Sequence, residues 1–121
     1  MTKTILTVDD SASLRQMIVL TLTGAGYKVV EAVDGADGFN KATASPVDAV
    51  ITDLNMPVMN GLEFIKKFRT HPASKGVPII LLTTESDENL KKQAKDAGAI
   101  GWIVKPFKQD QLLSVIRKVA G

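Results

Sequence analysis

Short apolar runs alternate along this chain with stretches in which apolar residues recur at helical spacing. Ile5–Val8 reads as a strand. From Ser11 to Leu22, the positions Leu14, Met17, Ile18 and Leu22 fall on one helical face, and Gly24 and Gly26 follow as a stop. Tyr27–Glu31 is half polar and reads as an edge strand. A short helix follows Gly35, with Phe39 and Ala42 inward. Ala49–Ile51 is a buried strand, and Leu62, Ile65 and Phe68 mark a third helix. Ile79–Leu82 is the most apolar strand, opened by Pro78 where a missing N–H does least harm. Leu90, Ala94 and Ala97 face inward on a fourth helix stopped by Gly98. Ile100–Val104 is a fifth strand, and Leu112, Leu113, Ile116 and Val119 form the inner face of a last helix. The connection from Thr70 to Gly76 reads as a surface loop.

Five strand–helix units in succession predict an α/β fold, a doubly wound parallel sheet with helices on both faces and right-handed crossovers. No linker, repeat or low-complexity tract interrupts them, so residues 1–121 are expected to form one domain.

Composition narrows the function classes. No run approaches the roughly 18 apolar residues of a membrane span, and "MTKTILTVDD" meets charge before a secretory core can form. A cytoplasmic location is expected. With 0 cysteines there is neither disulfide nor thiolate metal site. The balance of 15 basic and 13 acidic residues, net +2, is too weak for a nucleic-acid footprint.

The chemistry gathers at the strand ends. The first strand ends in Asp9-Asp10, the third in Asp53, the fourth in Thr83-Thr84 and the fifth in Lys105-Pro106. In an open α/β sheet, ligands bind outside the carboxyl ends of the strands, so these residues are expected to share one crevice. Three carboxylates repel one another unless a cation intervenes. All-oxygen ligands suit Mg²⁺, which keeps several waters, whereas zinc is disfavoured by a lone His71 in a distant loop. Mg²⁺, the ammonium of Lys105, the hydroxyl of Thr83 and a spare carboxylate suit a phosphoryl group, with Asp53 as nucleophile. Each residue also has a plainer role: Asp9-Asp10 or Ser11 as the cap region of the first helix, Thr83 as a β-branched strand residue, and Lys91, Lys92 and Lys95 as a solvated helix face.

These pieces together resemble the receiver domain of bacterial response regulators: "VDD" after the first strand, "TDLNMPVMNGLE" after the third, "LTT" after the fourth and "KPF" after the fifth. The resemblance covers the whole chain. It leaves no length for an output domain, so the chain is most similar to the single-domain, CheY-like chemotaxis regulators. The resemblance implies a flavodoxin-like sheet of order 2-1-3-4-5 with five helices. It implies that Asp53 accepts a phosphoryl group from a CheA-like histidine kinase. Asp10, Asp53 and the backbone carbonyl of Asn55 would bind Mg²⁺, and Asp9 would hold a metal-bound water. Lys105 would pair with the phosphoryl oxygens, across a cis Lys105–Pro106 bond. Thr83 would then move toward the phosphoryl group and Trp102 turn inward, repacking helix four, strand five and helix five for an output protein such as FliM, with a phosphatase as a further partner. Such a protein is a monomeric signalling switch rather than an enzyme.

Some positions depart from the family pattern. Trp102 stands where tyrosine is common, Thr84 where alanine or glycine is frequent, and Leu54 is not aromatic. Asp87-Glu88 reverse the charge expected on the FliM-facing helix. Two other readings stay open: a stand-alone receiver acting as phosphate sink or relay, and a Mg²⁺-dependent phosphohydrolase of the haloacid dehalogenase type. The latter places its nucleophile after strand one and needs a cap this chain lacks.

Overall fold

In the computed structural model, which describes residues 2–85 and 87–121, five parallel strands lie in the order β2-β1-β3-β4-β5. In chain order the elements are β1 (Thr4–Val8), α1 (Ala12–Gly24), β2 (Lys28–Ala32), α2 (Gly35–Ala44), β3 (Ala49–Asp53), α3 (Gly61–Arg69), β4 (Ile79–Thr83), α4 (Glu88–Ala97), β5 (Gly101–Val104) and α5 (Gln109–Ala120). The expected α/β class, sheet order and five helices are all present.

Alternation along the strands divides the core. Leu6, Val8, Val50, Ile79 and Leu81 face the side covered by α2, α3 and α4, where Phe64, Ile65 and Phe68 pack. Ile5, Ala49, Ile51, Ile80, Leu82 and Ile103 face the side of α1 and α5, against Ile18, Leu22, Leu112 and Ile116. β3 and β4 are buried along their whole length, which is why their sequences lack a polar face. Fully burying one such leucine or isoleucine stabilises by about 1.5–3 kcal/mol, so these two strands anchor the sheet. Among the described residues no helix is long and apolar enough to cross a membrane.

Several boundaries differ from the sequence reading. α1 starts at Ala12, because the Ser11 hydroxyl caps it by accepting from the Leu14 N–H. It runs through Gly24 and stops at Ala25 and Gly26, the latter at φ 96°. Tyr27 is not in β2: its N–H donates to Leu22 O and closes the helix end, so the strand is Lys28–Ala32. Ile100 donates its N–H to Ile79 O but precedes β5, with its side chain exposed. Leu14 and Met17 are only half-buried, lining a shallow groove with Lys105, Pro106 and Phe107.

The connection from Thr70 to Gly76 is more than a surface loop. It contains a 3₁₀ turn, Pro72–Ser74, capped by His71 Nδ1 accepting from the Ala73 N–H. Ser74 is buried because the Arg69 guanidinium donates to its carbonyl at 2.7 Å, while Nε and the other amino group both donate to Gly98 O, at 3.2 and 2.8 Å. Burial lowers the pKa of Arg69, and its charge lies at the C-terminal end of α4, where a helix dipole favours a cation.

Candidate functional site

The parallel sheet brings its strand-end residues together on one side. Val8 pairs with Thr52 and Asp53 with Leu82, so the ends of β1, β3 and β4 lie side by side. Asp9, Asp10 and Asp53 bring a carboxylate oxygen each to within 4.8 Å of one another. Lys105 enters from beyond β5, held by its backbone N–H donating to Thr83 O at 2.8 Å. Its ammonium donates to Asp53 Oδ1 at 2.7 Å and lies 3.7 Å from Asp9 Oδ2. The preceding expectation of a cis Lys105–Pro106 bond is met.

Asp9 and Asp10 are adjacent yet differ in setting. Asp9 is 1% exposed, with its N–H donating to Ala32 O and its Oδ1 accepting from the Ser11 N–H at 2.8 Å. Its Oδ2 is buried without a hydrogen-bond partner among the described residues; the Lys105 contact is too long to count as one. Asp10 is exposed. Burial pushes the Asp9 carboxyl above the usual carboxylate range. Asp53 and Asp10 push it the same way, against the Ser11 N–H and Lys105.

These donors fit a hard divalent cation. Three carboxylates against one ammonium leave two negative charges unmatched, and the orphaned Asp9 Oδ2 faces the cluster. All ligands on offer are oxygens, which select Mg²⁺, Ca²⁺ or Mn²⁺ over zinc.

The loop from β3 to α3 is built to hold this arrangement. Asn60 caps α3 reciprocally with Glu63, at 2.9 and 3.1 Å. Gly61 donates to Leu54 O, and a Cβ on Gly61 would overlap the Asp53 carbonyl oxygen outright. The sharpest bend is at Val58, at φ 69°, spanned by a Met59 N–H to Pro57 O bond of 2.7 Å. That is the rare, strained form of γ-turn. Met59 O then accepts from the Gly35 N–H, tying this loop to the one before α2.

The chain matches the family "Response regulator receiver domain" over residues 5–117. It belongs to that family. The receiver is 40% identical over 119 residues to "Chemotaxis protein CheY1" of Helicobacter pylori, covering 97% of this chain and 96% of that one. It is also 40% identical to "Response regulator ArlR" of Staphylococcus aureus, but spans only 51% of that protein. Among solved structures, CheY4 of Vibrio cholerae superposes with a TM-score of 0.95 at 44% identity, covering 98% of this receiver and 99% of that chain. The receiver domain of the histidine kinase PA1611 from Pseudomonas aeruginosa, at 27% identity and a TM-score of 0.91 over 100% of this chain and 99% of its own, holds a magnesium ion in its active-site cleft.

The other expected site residues are placed as follows. Thr83 ends β4, is buried, and accepts from the Glu85 N–H through Oγ1 at 3.0 Å, so its own proton stays free to donate. Asn55 is exposed two residues beyond β3. Trp102 pairs with Leu81 in the sheet, half-buried against the α3/α4 side. Its indole N–H is buried without a partner among the described residues, and the Lys91 ammonium lies 6.0 Å from its ring. The sequence reading missed Arg15, whose guanidinium reaches the Asp9 carbonyl at 2.6 Å. The available signal was its isolation as the only basic residue between Lys3 and Lys28.

Proposed function

We propose that this receiver is a Mg²⁺-dependent phosphoryl switch, with Asp53 as acceptor for a CheA-like histidine kinase and a role in chemotaxis. The observation that carries this reading is the Asp53–Lys105 contact of 2.7 Å beside two further carboxylates. The ion pair orients Asp53. An Asp53 oxygen attacks the phosphorus of a phosphohistidine: a P–O bond forms, the P–N bond breaks, and the electron pair stays on the imidazole nitrogen, which takes a proton from solvent. Lys105 shifts from the carboxylate to a phosphoryl oxygen, and Thr83 donates its free proton to another. Asp10, Asp53 and the Asn55 carbonyl would hold Mg²⁺, with Asp9 reaching it through water, and the metal would supply positive charge to offset that of the transferred group.

Thr83 and Trp102 then carry the change to the surface. An indole N–H buried without an acceptor costs about 1–3 kcal/mol, so the present position of Trp102 is not its best in every state. The output face lies along α4 and β5, where Lys91, Ala94, Lys95 and Trp102 line a groove. The acids at Asp87 and Glu88 have local work there. Asp87 caps α4 by accepting from the Asn89 and Leu90 N–H groups, and Glu88 pairs with Lys91 at 3.6 Å. Their charge is thus partly used within the helix, which leaves a FliM-type partner compatible with this face.

Mg²⁺ and acetyl phosphate, followed by intact mass and Trp102 fluorescence, test the reading. One phosphoryl mass is expected, absent in Asp53→Asn and with EDTA, together with a fluorescence change. Mass gain with unchanged fluorescence favours a phosphate sink or relay. Failure to respond to both acetyl phosphate and beryllofluoride refutes the receiver chemistry.

A further inference from the structure

Three fastenings hold the Asp9-Asp10 unit, and one of them comes from a residue with no part in the chemistry so far. The Asp9 N–H is fixed by Ala32 O at 3.0 Å, and Asp9 Oδ1 by the Ser11 N–H at 2.8 Å. The Asp9 carbonyl, which belongs to the peptide joining the two acids, accepts from Arg15 Nη1 at 2.6 Å. Arg15 is itself aimed by Glu31, which takes its Nε at 3.2 Å, and the backbone carbonyl of Glu31 is gripped by Lys41 at 2.6 Å. The Arg15 side chain is only 14% exposed, while the Glu31 side chain is 47% exposed. An ion pair with so open a partner contributes little by itself.

We propose that Arg15 is a positioning residue for the cation site: its planar fork fixes the Asp9–Asp10 peptide plane, and so the direction in which Asp10 presents its carboxylate. This rests on the reading of the acidic cluster as a Mg²⁺ site. The argument is one of sign. On charge alone, a guanidinium hydrogen-bonded to the Asp9 carbonyl repels a divalent cation at the neighbouring acids and weakens its binding. A fork that reaches a carbonyl and a carboxylate in two set directions is what arginine offers and lysine does not. Groups that orient metal ligands typically change metal affinity by about 10–100-fold when removed.

Calorimetric titration with Mg²⁺ separates the two effects. Arg15→Met removes a positive charge, so electrostatics alone predicts tighter binding, whereas positioning predicts binding weaker by about ten-fold. Arg15→Lys keeps the charge, so electrostatics predicts no change and positioning predicts a loss smaller than that of Arg15→Met. With acetyl phosphate, the Mg²⁺ concentration for half-maximal phosphorylation should rise in both variants while the rate at saturating Mg²⁺ stays near that of the parent. Arg15→Met binding Mg²⁺ as tightly as the parent, or tighter, overturns the proposal. Should Arg15→Met fail to fold, parental affinity in Arg15→Lys overturns it equally. If the parent gives no Mg²⁺ binding that Asp53→Asn weakens, the reading of the site falls and this proposal with it.

Discussion

Gly61→Ala should damage stability and chemistry together, because the added methyl has nowhere to go. It would overlap the Asp53 carbonyl oxygen and come within 3.0 Å of Leu54 Cα, both of them backbone atoms that cannot swing aside. Restoring an ordinary carbon–oxygen contact requires a displacement of about 1 Å between the start of α3 and the end of β3. Overpacking of this kind costs about 1–3 kcal/mol, and a clash against backbone belongs at the upper end. For a domain of this size the midpoint should fall by roughly 10 °C. In urea the transition should move to lower concentration with its slope unchanged. Because a misplacement of about 1 Å at a reacting group can cost about 10²-fold in rate, phosphorylation by acetyl phosphate should slow by at least about ten-fold. Gly24→Ala is the matched control: nothing lies within 4 Å of its Cβ position at the end of α1, and the change should stabilise by about 0.4–1 kcal/mol. A Gly61→Ala protein with the parental urea midpoint and rate would refute the claim that α3 and the acceptor strand are in hard contact.

Three further outcomes follow from the geometry. Val58→Gly should raise stability by about 0.5–1 kcal/mol in urea unfolding, since Val58 is 81% exposed and contributes strain rather than burial; a destabilised variant would show the turn to be unstrained. Asp9 has its folded pKa raised, chiefly by burial, so the folded state binds its proton more tightly than the unfolded chain. Its contribution to stability therefore declines as pH rises from the ordinary carboxylate value through the raised one. Without Mg²⁺, Asp9→Asn should gain stability over the parent at pH 7 and lose that gain toward pH 4, and a gain independent of pH would contradict the assignment. Thr84, exposed just beyond β4, should shield the acyl phosphate from water, so Thr84→Ala should lose its phosphoryl mass faster, whereas equal lifetimes would remove that role.

What the sequence disclosed, and what it hid, divides along a physical line. β4 was plain because Ile79–Leu82 is buried on both faces, and Asp53 was plain because a carboxylate at the end of a buried strand demands a cation. Long-range pairing of strand ends follows from parallel topology, so Asp9, Asp10, Asp53 and Lys105 could be assigned to one crevice before any coordinates. The one-residue shift of β2 could not: whether Tyr27 closes α1 or opens a strand depends on a backbone bond to Leu22. The 3₁₀ turn at Pro72–Ser74 depends on Arg69 reaching two carbonyls from different segments, one of them 29 residues away. Arg15 showed only in its isolation from other basic residues, since the partner that ties it to the site is the Asp9 main-chain oxygen, and main-chain oxygens leave no mark on a sequence.

Lys105 is 52 residues from Asp53 along the chain, and nothing but the assembled sheet brings them together. A ribosome releases the acids long before it releases the ammonium. Until β5 docks beside β4, the growing polypeptide carries Asp53 without its counter-charge. The same holds for a chain clipped by a protease anywhere ahead of β5. The ion pair is therefore a mark that β5 has docked beside β4, formed only by a chain whose sheet is assembled.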